Sequence, residues 1–269
     1  MPGRNFTRPC ARPAAHDAGQ RPAPAGCIHR AGCREAAGFA LGGGNALLAH
    51  GLTTRPTQDV DLFTDQEHGV EAAAAAVERA LAAARLHAER QDDTAGLADL
   101  FPGMGQGLAE WLVTAPDGQQ TVLQMAYFDR SRAPVVMEIG PVLALEDVVG
   151  GKVCALASRV EPRDYADVAR MLDRYRPAEL IGCAGRLDSG LTAQDFADAG
   201  MQLDRIADEE FFRYGLSQQD IATLRGKFAV WPRTPQAVIP EIPAGGLRHP
   251  DTPPQHRPFP QRDAPELGQ

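Results

Sequence analysis

Between Phe39 and Phe63 the chain reads Phe39-Ala-Leu-Gly-Gly-Gly-Asn-Ala-Leu-Leu-Ala-His50 and, eight residues later, Asp59-Val-Asp61-Leu-Phe63. A short apolar strand, Phe39–Leu41, that empties into three glycines and then into helix formers predicts a strand–turn–helix, with the helix over Asn45–His50. The second segment predicts a strand. Successive strand residues point to opposite faces, so Asp59 and Asp61 share one face while Val60 and Leu62 take the other. Aspartate is disfavoured in strands, and two on one face repel each other. Either a cation lies between them, magnesium being the usual hard-oxygen binder, or an opposite charge such as Arg55 attends them at the surface. The glycine turn would present backbone N–H groups to an anion, as a triphosphate requires, or it is simply a permissive loop. Asn45 at the helix entry would cap backbone N–H groups or hold a phosphate oxygen.

The rest of the chain divides by pattern. Residues 1–35 are rich in Pro, Arg, Gly and Ala without apolar periodicity. They read as disordered, or as sequence upstream of a misplaced start. Residues 36–144 read as mixed α/β. Val70–Ala84 predicts a helix; Glu110–Thr114 and Thr121–Phe128 predict a hairpin about Pro116-Asp-Gly-Gln; Val135–Ile139 predicts a further strand. From Leu145 to Trp231 the periodicity is helical, and residues 232–269, dense in proline, read as a disordered tail. The fold class is therefore α/β (α+β): a sheet-based core over 36–144 followed by a helical region over 145–231.

A second cluster runs Glu146-Asp-Val-Val-Gly-Gly-Lys152-Val-Cys-Ala-Leu-Ala-Ser-Arg159-Val-Glu-Pro-Arg163-Asp164-Tyr-Ala-Asp167. On a helix, Val148, Lys152, Leu156 and Arg159 fall on one face. Lys152 either snorkels to solvent or turns into a cleft and neutralises a phosphate. Asp164 shares a stripe with Val168 and Met171, so it needs a cationic partner, Lys152 or Arg159, or a metal.

Composition removes several classes. A net charge of -8 and a pI near 5.4 exclude a surface coated with basic residues for non-specific nucleic-acid binding, while leaving room for a local basic groove. No apolar run approaches the roughly 20 residues that span a bilayer, and no segment resembles a secretory signal, so no membrane association and a cytoplasmic location are expected. The five cysteines, Cys10, Cys27, Cys33, Cys154 and Cys183, show no paired zinc spacing and suit a reducing compartment. Cys154 reads as a small core residue. Nothing resembles a Ser-His-Asp or Cys-His constellation, and no Walker-type lysine follows the glycines.

Taken together, Leu41-Gly-Gly-Gly-Asn-Ala-Leu, Arg55-Pro-Thr-Gln-Asp-Val-Asp-Leu-Phe, Leu145-Glu-Asp-Val-Val-Gly-Gly-Lys-Val-Cys-Ala-Leu and Arg163-Asp-Tyr-Ala-Asp resemble the AbiEii/AbiGii-type toxin nucleotidyltransferases, within the DNA polymerase β-like nucleotidyltransferase superfamily. The resemblance covers about residues 37–176. It implies a polymerase β-like mixed sheet with a helical C-terminal region, and Mg²⁺-dependent transfer of a nucleotide from an NTP. It further implies an acceptor that in some relatives is tRNA, and a cognate antitoxin. By resemblance, Asp59 and Asp61 match the metal pair and Gly43, Gly44 and Asn45 the nucleotide-binding turn. Lys152 matches the nucleotide-contacting lysine and Asp164 the following catalytic acid, with Asp167 close behind. Two departures stand out. Asn45 replaces the usual Ser or Thr, and the strand position expected to carry a third carboxylate falls on neutral Gln124, with Asp129 as a substitute only after a shift of register. The alternatives are a catalytically weakened binding protein of the same fold, and an antibiotic-type enzyme acting on a small molecule.

Overall fold

The computed structural model describes residues 38–53, 57, 59–91, 107–241, 246–247 and 257–258. Residues 1–35 lie outside it, as do Arg55 and most of the chain beyond 241. The strands are β1 (Ala40–Leu41), β2 (Asp59–Thr64), β3 (His87–Arg90), β4 (Leu108–Thr114), β5 (Gln120–Tyr127), β6 (Val135–Met137), β7 (Gly140–Val142) and β8 (Arg257–Pro258). The helices are α1 (Gly43–Ala49), α2 (Gly69–Ala83), α3 (Leu145–Arg159), α4 (Pro162–Met171), α5 (Pro177–Leu187), α6 (Ala193–Gln202), α7 (Asp208–Phe212) and α8 (Gln218–Lys227).

All eight strands join one mixed sheet in the order β3-β4-β5-β2-β1-β7-β6-β8. β2 runs parallel to β5 and antiparallel to β1, which itself lies parallel to β7. The expected hairpin is β4–β5. Its turn is closed by Ala115 N–H to Gln119 O and by Gly118, whose φ of 83° suits glycine. The strand expected over Val135–Ile139 instead breaks at Gly140, φ 120°, into the β6–β7 hairpin. β3 is short, and of its four residues only Ala88 is even half-buried, so its sequence lacks the apolar alternation that announces a strand.

Alternation decides the two faces of the central strands. Val60 and Leu62 of β2, Ala109, Trp111 and Val113 of β4, and Leu123 and Met125 of β5 are all buried. They meet the apolar stripe of α2, where Val70, Val77 and Leu81 are buried at helical spacing. Trp111 is fully buried, and its indole N–H donates to Glu78 Oε1 of α2 at 2.9 Å, so the one polar atom of the largest core residue is satisfied. The opposite residues, among them Asp59, Asp61, Glu110 and Gln124, lie on the other face.

The helical region begins at Leu145 as its periodicity predicts, yet it does not form a separate core. Residues of the sheet, of α1 and α2, and of α3 to α8 belong to one continuous apolar cluster. Residue 145 marks a change of secondary structure within that core. Asp147, in the first turn of α3, accepts from Ser131 N–H, Ser131 Oγ–H and Arg132 N–H, tying the segment after β5 to the helix. Tyr165, Phe228 and Trp231 stack edge-on and tilted inside the helical region, and Tyr165 donates to Ala199 O at 2.5 Å.

The chain continues to pack past Trp231, where disorder was expected to begin. Pro232 is buried, Glu241 N–H donates to Ala178 O of α5, and Gly182 gives Glu241 the close approach that a Cβ would block at 2.2 Å. Proline richness is therefore compatible here with a segment whose backbone follows a helix rather than a sheet. Cys154 is half-buried and Cys183 buried; burial pushes their thiols up to about 12 and about 11, which leaves both unreactive at neutral pH. Trp111→Ala is expected to cost about 3–5 kcal/mol, read as a lower urea midpoint with an unchanged slope.

Candidate active site

The glycine turn and the aspartate strand are in direct contact. Gly42 N–H donates to Asp61 O at 2.8 Å, extending the β1–β2 pairing by one bond. Gly43 follows with φ 55°, and a Cβ there would lie 1.8 Å from Asp61 Oδ2. Only glycine satisfies both the left-handed backbone and the closeness of the carboxylate. Gly44 is less confined: a Cβ would meet Thr57 at 3.1 Å. Gly42 and Gly43 thus have positions fixed by β2, Gly44 lies against Thr57 just before that strand, and Gly43 and Gly44 fall in the first turn of α1 rather than before it.

Asn45 does not take the capping role, one of the two expected of it. Its amide Nδ2–H donates to the Asp59 carbonyl at 2.6 Å, tying α1 to the start of β2, and α1 has no side-chain cap. At the other end of the helix, His50 Nε2–H donates to Leu143 O at 2.8 Å, since a carbonyl can only accept.

Asp59 is exposed and Asp61 half-buried, on the same face as expected. Burial raises the Asp61 pKa; Lys152 is the strongest influence opposing it, Asp59 adds to the rise, and Arg163 and Arg159 lower it. Lys152 of α3 is thus the cation that most favours the ionised form of Asp61, ahead of the two arginines.

The buried carboxylates that follow Lys152 are paired. Asp164 is fully buried and receives a bidentate contact from Arg159, Nε to Oδ2 at 2.7 Å and Nη2 to Oδ1 at 2.8 Å. Asp167, also buried, lies 2.9 Å from Lys152 Nζ. Both pairs bridge α3 to α4 across Val160, a β-branched residue held at φ 56°, where the chain turns sharply before Pro162 starts the next helix. Of the partners considered for Asp164, the fold selects Arg159, and it gives Lys152 to Asp167 instead.

On the neighbouring strand Gln124 stands directly beside Asp61 in the parallel β2–β5 register, and its Nε2–H donates to Glu110 Oε2 on β4 at 3.2 Å. Glu110 was not singled out from sequence. The signal was available, because a hairpin turned at Asp117-Gly118 pairs residue 110 with 124. Asp129 is exposed, beyond the end of β5 and five residues past Gln124. At about 3.3 Å per residue that is far from the row of Asp61. Among the described residues no three His, Cys, Asp or Glu side chains come together to hold a metal ion. The donor set toward a cation is the hard-oxygen pair Asp59 and Asp61, which fits a magnesium ion that completes its shell with water and phosphate.

The family model describing the AbiEii nucleotidyl transferase toxin of type IV toxin–antitoxin systems matches residues 33–229. The chain belongs to this family. As an AbiEii-type nucleotidyltransferase toxin by family, it has the nucleotidyltransferase fold, a mixed sheet with helices. Similar solved structures include JHP933 from Helicobacter pylori, with 16% identity over 76% of this chain and 86% of that one and a TM-score of 0.46. A putative nucleotidyltransferase from H. pylori has 15% identity over 76% and 89%, with a TM-score of 0.47. MenT4, a nucleotidyltransferase toxin from Mycobacterium tuberculosis H37Rv, has 13% identity over 76% and 80%, with a TM-score of 0.47. No curated protein matches the chain. Among the described residues no helix is long and apolar enough to cross a membrane.

Two expectations follow for this AbiEii-family site. Arg159→Ala, which strands a fully buried carboxylate, is expected to cost about 3 kcal/mol, whereas Asp164→Leu leaves only a part-exposed guanidinium and stays within about 1 kcal/mol of wild type; urea unfolding checks the order. Because the fold raises the Asp61 pKa, its ionised form opposes folding of the metal-free protein. Asp61→Asn is thus expected to melt above wild type in EDTA at neutral pH, and the gap should narrow as pH falls through the raised pKa and wild-type Asp61 protonates.

Proposed function

We propose that this protein is a magnesium-dependent nucleotidyltransferase of the toxin type, moving a nucleotide from an NTP to an acceptor of the tRNA class, in the cytoplasm and under the control of a cognate antitoxin. The observation that carries the reading is the contact between the Gly43 backbone and the Asp61 carboxylate, which sets a phosphate-accepting turn against a metal-accepting pair. Membership of the AbiEii family supports the same reaction class.

In this reading Asp59 and Asp61 hold the metal, and the backbone at Gly43 and Gly44 faces the triphosphate. Asn45 acts through Asp59, whose carbonyl it holds. Lys152 is the cation that most favours ionised Asp61, and it contacts phosphate; the buried Asp167 orients it. Asp164 is a positioning residue, holding Arg159 at the end of α3. Magnesium would supply electrostatic stabilisation of the charge that builds on the phosphoryl oxygens. The acceptor hydroxyl oxygen bonds to the α-phosphorus while the bond to the β-phosphate bridging oxygen breaks. Pyrophosphate leaves with the electron pair and the hydroxyl proton passes to solvent. The chain's own residues contribute orientation and charge, which is most of what this reaction asks of a protein.

Gln124 beside Asp61 favours a second reading, a nucleotide-binding relative without turnover. Incubating the protein with each labelled NTP, Mg²⁺ and total cellular RNA separates the two. Label is expected to move to RNA, to stop in EDTA, and to fall at least about 100-fold in Asp61→Ala. Nucleotide binding without transfer would select the second reading. Transfer to a small-molecule acceptor alone would select antibiotic-type chemistry, and absence of any Mg²⁺-dependent NTP binding would end the proposal.

A further inference from the structure

The row of residues across β2, β5 and β4 carries a device that the aspartate pair alone does not reveal. Asp61, Gln124 and Glu110 are successive register partners on one face of the sheet, and all three are half-buried. Strands lie about 4.8 Å apart, so Gln124 occupies the space directly next to Asp61 and separates it from Glu110. Its amide could point either way, but the contact to Glu110 decides. An ionised carboxylate only accepts, so the NH₂ end must face Glu110, and the carbonyl oxygen is then turned away from β4.

Resting on the metal role proposed for Asp59 and Asp61, we infer that Gln124 Oε1 is a third, neutral oxygen ligand of the same cation, and that Glu110 is the positioning residue that keeps this oxygen turned toward it. A hydrogen-bonded carboxylate behind a ligand is how metal sites commonly fix ligand orientation. A cross-strand Gln–Glu pair kept only for sheet stability would serve as well on either face and next to any neighbour. Here it stands in the row of Asp61.

Binding of Mn²⁺ alone to the full chain, followed by electron paramagnetic resonance without nucleotide, tests the inference. The double variant Glu110→Gln with Gln124→Glu keeps the cross-strand hydrogen bond with its polarity reversed and moves the carboxylate to β5. It is expected to bind Mn²⁺ about 10-fold more tightly than wild type. Gln124→Leu, which keeps the shape and removes the oxygen, and Glu110→Gln alone, which lets the amide turn, are each expected to weaken binding about 10-fold. Melting curves in EDTA identify any variant that fails to fold; Gln124→Leu and the double variant change the strand in different ways, so either one carries the test. If these variants bind Mn²⁺ as wild type does while Asp61→Asn abolishes binding, Gln124 lies off the metal and the inference is overturned, with the metal role of the pair intact. If Asp61→Asn changes nothing either, the metal role of the pair fails and this inference fails with it.

Discussion

The structure depends first on the absence of a side chain at residue 43. The first turn of α1 is pressed against β2 so closely that the Asp61 carboxylate occupies the space a Cβ would need. That contact brings three things together: the β1–β2 pairing through Gly42, the helix start at Gly43, and the outward face of Asp59 and Asp61. Any larger residue would push α1 off the strand, and with it the Asn45 bond to Asp59 and the His50 bond to Leu143 that hold the helix at its two ends. A close approach that only glycine permits is a steric condition, so it admits no gradual compromise.

The second dependency is electrostatic. The docking of α4 on α3 buries two carboxylates, and each is met by a cation from α3 within one short corner of chain. Buried ion pairs contribute little net stability compared with apolar packing, but an unpaired buried charge is costly. The two pairs therefore act as constraints on register: α4 has one position on α3 that satisfies Asp164 and Asp167 together. The same register holds Lys152 against Asp167, and its charge opposes the burial and like-charge repulsion that raise the Asp61 pKa. Packing of the helical region and tuning of the site thus come from one set of contacts.

Much of this was legible in the sequence because it follows from local period. Val60 and Leu62 against Asp59 and Asp61 required only strand alternation, and the helical run from Leu145 required only a 3.6-residue stripe. The β4–β5 hairpin followed from its turn residues. What escaped was whatever depended on a partner distant in sequence or on a backbone choice without a side-chain signature. β3 has a mostly exposed surface and so no alternation to read. The β6–β7 break depends on a glycine whose φ is positive only in context. Asn45 does not cap α1 as its place at the helix entry suggests, because the start of β2 supplies a carbonyl at 2.6 Å. The stretch after Pro232 has a disorder-like composition but rides on α5 through backbone contacts that composition cannot show.

The sequence by itself determined which residues could do chemistry: a glycine turn, two aspartates on one strand face, a lysine and further acids at helical spacing. These are consequences of residue type and period, and the resemblance to a toxin nucleotidyltransferase family rests on them. Only the tertiary structure decided how the charges were shared. It gave Asp164 to Arg159, Lys152 to both Asp167 and the field around Asp61, and Gln124 to Glu110. A sequence states how many donors and acceptors are present. Which of them meet is set by sheet register and helix docking, where steric fit and the cost of an unpaired buried charge leave one arrangement.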